Sequence, residues 1–144
     1  VREVFATEAA AAAHRDLLAA TPVPVRLITE KAAASLSETV TPQGLVAVCA
    51  LRDVPADVLV QVPPPLTVAL AELADPGNAG TVIRAADAAG ADAVVLTTSS
   101  VDVHNAKCVR STAGSLFHLP VVLGLPQDVR VDKGVAYKDL PSGR

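Results

Sequence analysis

Leu66-Thr67-Val68-Ala69-Leu70-Ala71-Glu72-Leu73-Ala74-Asp75-Pro76-Gly77-Asn78-Ala79-Gly80-Thr81-Val82-Ile83-Arg84-Ala85-Ala86-Asp87-Ala88-Ala89-Gly90-Ala91-Asp92-Ala93-Val94-Val95-Leu96-Thr97 is the stretch on which the fold turns. Leu66–Leu73 is an apolar run of strand length. Asp75-Pro76-Gly77-Asn78 supplies a tight turn in which Asn78 can cap a helix, and Gly80 allows a close approach. An alanine-rich helix follows from Ala79 to Ala89, with Gly90 at its C′ position. Ala93–Thr97 is then a second short apolar strand. Strand, loop, helix and strand in this order predict an α/β fold with a parallel sheet covered by helices. Ligands of such sheets gather at the carboxyl ends of the strands, which is where the loop at 75–80 lies.

The same alternation extends outward. Downstream, His104–Thr112 predicts a short helix and Ser115–Val122 a further strand. Upstream, Leu51–Pro65 holds Pro55 and the triplet Pro63-Pro64-Pro65, which predict a semi-rigid linker. Residues 1–50 form a small α/β unit of their own. Its expected elements are a strand at Val4–Thr7, a helix at Glu8–Ala20 with Leu17 and Leu18, and a strand at Val23–Ile28. A helix capped by Thr29 then runs to Ser37, with Leu36 on its apolar side. Gly44–Ala50 closes the unit as a strand buried on both faces. The expected organisation is therefore 1–50, a linker at 51–65, and a second domain at 66–144.

The composition narrows the function. The chain has 144 residues, 51% apolar and 19% charged, with a net charge of −3. That suffices for a core and excludes disorder, and no apolar run approaches the ~20 residues a membrane span needs. Cys49 and Cys108 are the only cysteines, which excludes a disulfide scaffold and suggests a reducing compartment. Nucleic acid would be met by a local basic patch, not by the overall field. At 2% aromatic content there is no platform for stacking single-stranded bases. There are 27 alanines and no methionine, and a chain opening at Val1 is expected to be processed or part of something longer. Nothing at its start resembles a signal peptide.

Two segments can carry chemistry. The loop at 75–80 is neither a phosphate loop, since no Lys-Ser/Thr follows, nor a dinucleotide fingerprint. Arg84 shares a helix face with Thr81 and Ala88. It is either a surface partner of Asp87 or a cation placed to hold a phosphate or polarise a hydroxyl. The second segment runs from Asp102 to Ser115. There Lys107 and Arg110, one turn apart and followed by Ser111 and Thr112, form either a solvated basic face or a phosphate-contacting set. His14, His104, His118 and Cys108 lack the spacing of a metal site, and no Ser/His/Asp constellation is readable.

Taken together, Asn78, Gly80, Arg84, Ala86 and Gly90, then Asp102, Lys107, Arg110-Ser-Thr-Ala-Gly114, Phe117 and Pro120, resemble the first signature of the SpoU (TrmH-like) family of RNA ribose 2′-O-methyltransferases. The likeness covers residues 75–120 in order and spacing. Residues 1–50 resemble the small RNA-binding domain that precedes the catalytic domain in several members acting on ribosomal RNA. Gly124-Leu125-Pro126-Gln127 is similar to the end of the family's second motif, and Leu140-Pro141-Ser142-Gly143-Arg144 to the start of its third. Val121 stands where the second motif has a glutamate. Val103-His104 and Arg110-Ser111-Thr112 also depart from the usual residues, with Thr112 keeping a hydroxyl.

The resemblance implies a SPOUT-type domain with a C-terminal trefoil knot, incomplete in these residues for want of an internal segment before Gly124 and of the end beyond Arg144. It implies S-adenosylmethionine bound without a metal near Gly124 and Leu140, and in-line transfer of its methyl group to a ribose 2′-oxygen. Arg84 and Asn78 would be catalytic, with Arg84 as the activator of the hydroxyl or as a holder of phosphate and developing charge. Lys107, Arg110 and Thr112 would contact RNA, ribosomal ahead of transfer RNA. The implied protein is a cytoplasmic homodimer. One alternative is a non-catalytic RNA-binding module on the same scaffold, favoured if 14.6 kDa is the whole mass. The other is an unrelated nucleotide-binding α/β domain, for which no fingerprint is present.

Overall fold

The computed structural model describes residues 1–57 and 66–126, together with the backbone of 130–132 and 135–137. It divides into two compact units, Val1–Leu51 and Arg52–Arg144.

The first unit contains β1 (Glu3–Ala6), α1 (Glu8–Ala13), α2 (Arg15–Ala19), β2 (Val25–Leu27), α3 (Glu30–Leu36) and β3 (Leu45–Val48). Its sheet has the order β2-β1-β3, with β1 parallel to β2 and antiparallel to β3. Thr7 begins α1 by accepting the Ala10 N–H on its hydroxyl at 3.2 Å, and Thr29 does the same for Ala32 in α3, as expected of a cap. The expected single helix at Glu8–Ala20 is interrupted at His14, whose ψ of 33° leaves the helical basin. Leu17 and Leu36, expected on apolar faces, are exposed. The run at 44–50 is not buried on both faces. It forms an edge strand whose Ala47 and Val48 face solvent, since an apolar run alone does not distinguish a central from an edge strand.

The second unit contains β4 (Asp53–Val54), β5 (Thr67–Leu70), α4 (Pro76–Ala88), β6 (Ala93–Thr97), α5 (Ala106–Ser111), a 3₁₀ turn (Ser115–Phe117) and β7 (Val121–Leu125). Four strands pair in parallel in the order β4-β7-β6-β5. A hairpin, β8 (Arg130–Asp132) with β9 (Val135–Tyr137), is antiparallel.

β6 is buried on both faces, as its uninterrupted apolar sequence requires. Val94 and Leu96 meet Ile83 and Ala79 of α4, Cys108 of α5, Val103, Leu116 and Val121. Ala93 and Val95 face the other way, onto Val122, Leu125, Val54 and Ala56. Each fully buried valine, leucine or isoleucine here contributes about 1.5–3 kcal/mol.

Three further expectations change. Asp53 and Val54, placed in the proline-rich linker, pair with Val121 and Val122, because two residues ahead of Pro55 suffice for an edge strand. Residues 58–65, the rest of that linker, lie outside the described residues. Ser115–Val122 is a 3₁₀ turn leading to a strand that starts only at Val121, since Gly114 (φ 98°) turns the chain and Pro120 has no N–H for a ladder. The helix after β5 starts at Pro76, and its cap is Asp75, not Asn78. Pro76 at the first helical position has no N–H to leave unpaired. No helix among the described residues is long and apolar enough to cross a membrane.

Gly80 fixes how closely α4 and α5 approach. A Cβ there would collide with Ser111 Oγ and lie 2.5 Å from the Cys108 carbonyl oxygen, which is backbone and cannot swing away. On an open helix face, Gly→Ala would stabilise by up to ~1 kcal/mol. Gly80→Ala is expected instead to destabilise the chain by about 1–3 kcal/mol in urea denaturation. An unchanged or raised midpoint would show that the helices can separate without cost.

Candidate active site

The carboxyl ends of β5, β6 and β7 lie along one edge of the parallel sheet, and the candidate residues stand in the segments that follow β5 and β6 and at the end of β7 itself. At the β5 end, Asp75 caps α4. Its Oδ1 accepts the Asn78 N–H at 2.8 Å, and its Oδ2 accepts from Lys107 Nζ at 2.9 Å. The carboxyl pKa lies below its ordinary value, first because of the Lys107 hydrogen bond and then because of the Asn78 N–H. Lys107, expected to hold phosphate, thus fastens the start of α5 to the start of α4. Ser111 strengthens the contact by donating to the Cys108 carbonyl at 2.9 Å and reaching that of Pro76 at 3.4 Å.

Asn78, Thr81 and Arg84 are spaced at i, i+3 and i+6. They form a slanting exposed ridge on α4 that rises ~9 Å along the axis. Thr81 is satisfied by donating to Gly77 O at 2.9 Å. Among the described residues, the side chains of Asn78 and Arg84 make no hydrogen bond or ion pair. The surface pair of Arg84 with Asp87 does not form. Asp87 instead faces His118 at 3.4 Å, and its pKa is held low by the Ser115 hydroxyl and then by His118.

On α5, Arg110 is exposed one turn after Lys107. Thr112 leaves the expected phosphate-contacting set. It is fully buried, and its hydroxyl donates to Val109 O at 2.7 Å, which closes the helix end.

At the ends of β6 and β7 lies a cleft of about 220 Å³, lined by Leu96, Thr97, Thr98, Ser100, Val101, Asp102, Leu123 and Gly124. Gly124 has φ 75°, and a Cβ there would meet nothing within 4 Å, so open space lies over its backbone. Leu140, its expected companion, lies outside the described residues.

Two features escaped the sequence reading. The hydroxyl run Thr97-Thr98-Ser99-Ser100 at a strand end signalled a polar cleft wall. His104, weighed only as a metal ligand, lies 3.4 Å from Asp102 and 3.7 Å from Asp53, with its buried Nε2 lacking a hydrogen-bond partner among the described residues. No group of three His, Cys, Asp or Glu side chains suited to a metal occurs among the described residues.

The Asp75 pairing has a pH signature. A carboxyl depressed on folding adds stability above its unfolded pKa of ~3.9, and that stability is lost as the pH falls through the folded value. Lys107→Met is expected to raise the Asp75 titration toward the ordinary carboxylate range in carboxyl-carbon NMR. An unmoved titration would show that the backbone N–H groups alone hold the carboxylate.

Comparison with known proteins gives a consistent answer. Residues 65–128 match the family model described as the SpoU rRNA Methylase family. The 23S rRNA (guanosine(2553)-2'-O)-methyltransferase RlmP of Bacillus subtilis (strain 168) is 43% identical over 102 residues, covering 71% of this chain and 39% of that protein. The 23S rRNA (uridine(2479)-2'-O)-methyltransferase of Streptomyces viridochromogenes is 42% identical over 78 residues, 52% of this chain and 27% of that one. The structure of the SpoU methyltransferase AviRb from Streptomyces viridochromogenes in complex with the cofactor AdoMet superposes with a TM-score of 0.69 at 29% identity, covering 86% of this chain and 46% of that chain. The chain thus spans less than half the length of the relatives it matches. In sequence and in its α/β parallel-sheet fold, the segment at 65–128 belongs to the SpoU rRNA methylase family.

Proposed function

We propose that this chain is part of an S-adenosylmethionine-dependent enzyme that methylates a ribose 2′-hydroxyl of RNA, ribosomal RNA foremost. One observation carries the reading: an open cleft at the carboxyl ends of β6 and β7 shares its sheet edge with a helix on which the side chains of Asn78 and Arg84 have no partner among the described residues. The names of the relatives support it.

The cleft suits part of the cofactor. Its ~220 Å³ falls below the ~300–1,000 Å³ of sites that enclose a small ligand, so Leu96, Val101, Leu123 and Gly124 would hold one portion and Leu140 another. When bound, the cofactor supplies an electrophilic methyl group on sulfonium sulfur. The chain's own residues bind and orient. Arg84 grips a phosphate beside the reacting ribose and stabilises the negative charge that grows on its 2′-oxygen, since a guanidinium of pKa above ~12 is a poor base. Asn78 offers amide donors and an acceptor to the same ribose. Positioning of two bound reactants supplies much of the rate.

The remaining assignments complete the proposal. Residues 1–50 bring the RNA, and the second unit, which begins at Arg52, belongs to a SPOUT domain whose C-terminal part ties a trefoil knot. Arg110, with Lys107 when it leaves Asp75, meets phosphates. The enzyme works as a homodimer in the cytoplasm.

Single-turnover methylation of ribosomal RNA by the polypeptide that carries this chain tests the function, and absence of methyl transfer with cofactor bound refutes it. Arg84→Ala is expected to slow the step about a hundredfold or more, on the order of 3 kcal/mol in barrier, with little change in cofactor affinity or melting temperature. Arg84→Lys should restore only part, because lysine lacks the planar fork. A folded Arg84→Ala protein with near-normal rate removes Arg84 from catalysis.

The first unit has its own test. Its four cations face five carboxylates, so recognition there depends on RNA shape more than on bulk charge. Deleting residues 1–50 is expected to abolish RNA binding in a gel-shift assay while calorimetry still detects the cofactor. Equal RNA affinity after deletion would move the RNA site elsewhere.

A further inference from the structure

We infer that Ser100, acting with Thr97, is a positioning residue that clasps the loop carrying Asp75 and Asn78 to the strand end that lines the cleft. The inference rests on the function proposed above and names a residue that serves it. Parallel pairing of Leu70 with Leu96 brings the ends of β5 and β6 level. Ser100 Oγ donates to Leu70 O at 3.2 Å and accepts the Leu73 N–H at 3.4 Å. Thr97 Oγ1 accepts the Glu72 N–H at 3.1 Å and stands 3.1 Å from Ser100 Oγ. A hydroxyl has one proton. Because that of Ser100 goes to Leu70 O, any bond between the two hydroxyls has Thr97 as its donor and makes a directed chain, with Ser99 Oγ, 3.3 Å from Thr97 Oγ1, as the competing partner. The Val101 N–H, donating to Leu73 O at 2.7 Å, ties the loops from the other side.

The loop needs such a clasp. Glu72 has φ 53°, a left-handed conformation that a residue with a Cβ keeps only where its surroundings hold it. Its N–H and that of Leu73 are the two groups the hydroxyls secure. Two residues beyond Leu73, Asp75 begins α4, so a shift of the clasped segment carries Asn78 with it. Thr97 and Ser100 also line the cleft beside Gly124.

Ser100→Ala removes all three of the hydroxyl's bonds, to Leu70, Leu73 and Thr97, and is tested in the full polypeptide in two ways. Amide hydrogen exchange at Glu72, Leu73 and Asn78 should accelerate at least tenfold, while that at Val94 and Val95 in β6 stays unchanged. The methyl-transfer kcat should fall about tenfold to a hundredfold, as expected of a small misplacement, with cofactor affinity changed less than threefold. Ser100→Thr, which keeps the hydroxyl, should restore both. If Ser100→Ala does not fold, Thr97→Val, which keeps the shape and loses the hydroxyl, is read in its place. Unchanged exchange at Leu73 and Asn78 overturns the clasp. Faster exchange with an unchanged kcat overturns its part in positioning. A wild-type protein that never methylates RNA refutes the proposed function instead, and the exchange arm still decides the clasp.

Discussion

The parallel pairing of β6 with strands on both sides is the constraint from which the rest of the second unit follows. Parallel strands place successive carboxyl ends on one edge, so the loops after β5 and β6 meet the end of β7 although 55 residues separate Leu70 from Leu125. Helices cover one face of the sheet, and α4 does so with Ala79, Ile83 and Ala86. That burial leaves the opposite side of α4 to solvent. Asn78 and Arg84 stand on the exposed side because the residues that anchor the helix occupy the other.

Close helix packing then links the two loops chemically. The absence of a side chain at Gly80 lets the Cys108 carbonyl and Ser111 approach α4, and this approach brings Lys107 within reach of Asp75. A capping carboxylate, a lysine and two backbone N–H groups make one small electrostatic assembly. An arrangement of this kind stiffens the start of α4 without spending Arg84, whose charge stays available.

Much of this was legible in the sequence, and the illegible parts have identifiable physical causes. β6 and the C′ glycine of α4 fell where the apolar run and Gly90 placed them, because a fully buried strand and a helix stop are local signals. The edge strands were harder. Asp53–Val54 and Leu45–Val48 owe their conformation to partners far along the chain, and hydropathy does not record an edge. At the site, Arg84 was recognisable as the lone charge between Ala79 and Ala86. The loss of Thr112 to the helix end and of Lys107 to Asp75 was not, since both depend on which competing acceptor is nearer in space. The hydroxyls of Thr97 and Ser100 were invisible for the same reason, as their partners are main-chain atoms 25 to 30 residues away.

Cys108 beneath the α4–α5 contact has a consequence for thiol chemistry. Its sulfur is fully buried, and burial, followed by the charge of Asp102, pushes its pKa above the ordinary thiol value. A thiol that is both covered and protonated is doubly protected from alkylating reagents, which attack the thiolate. Cys49, the other free cysteine, is half-buried and belongs to the first unit. Each unit therefore contains one native thiol, and the labelling rate at Cys108 measures how often α5 lifts away from α4, a local opening read without any added probe.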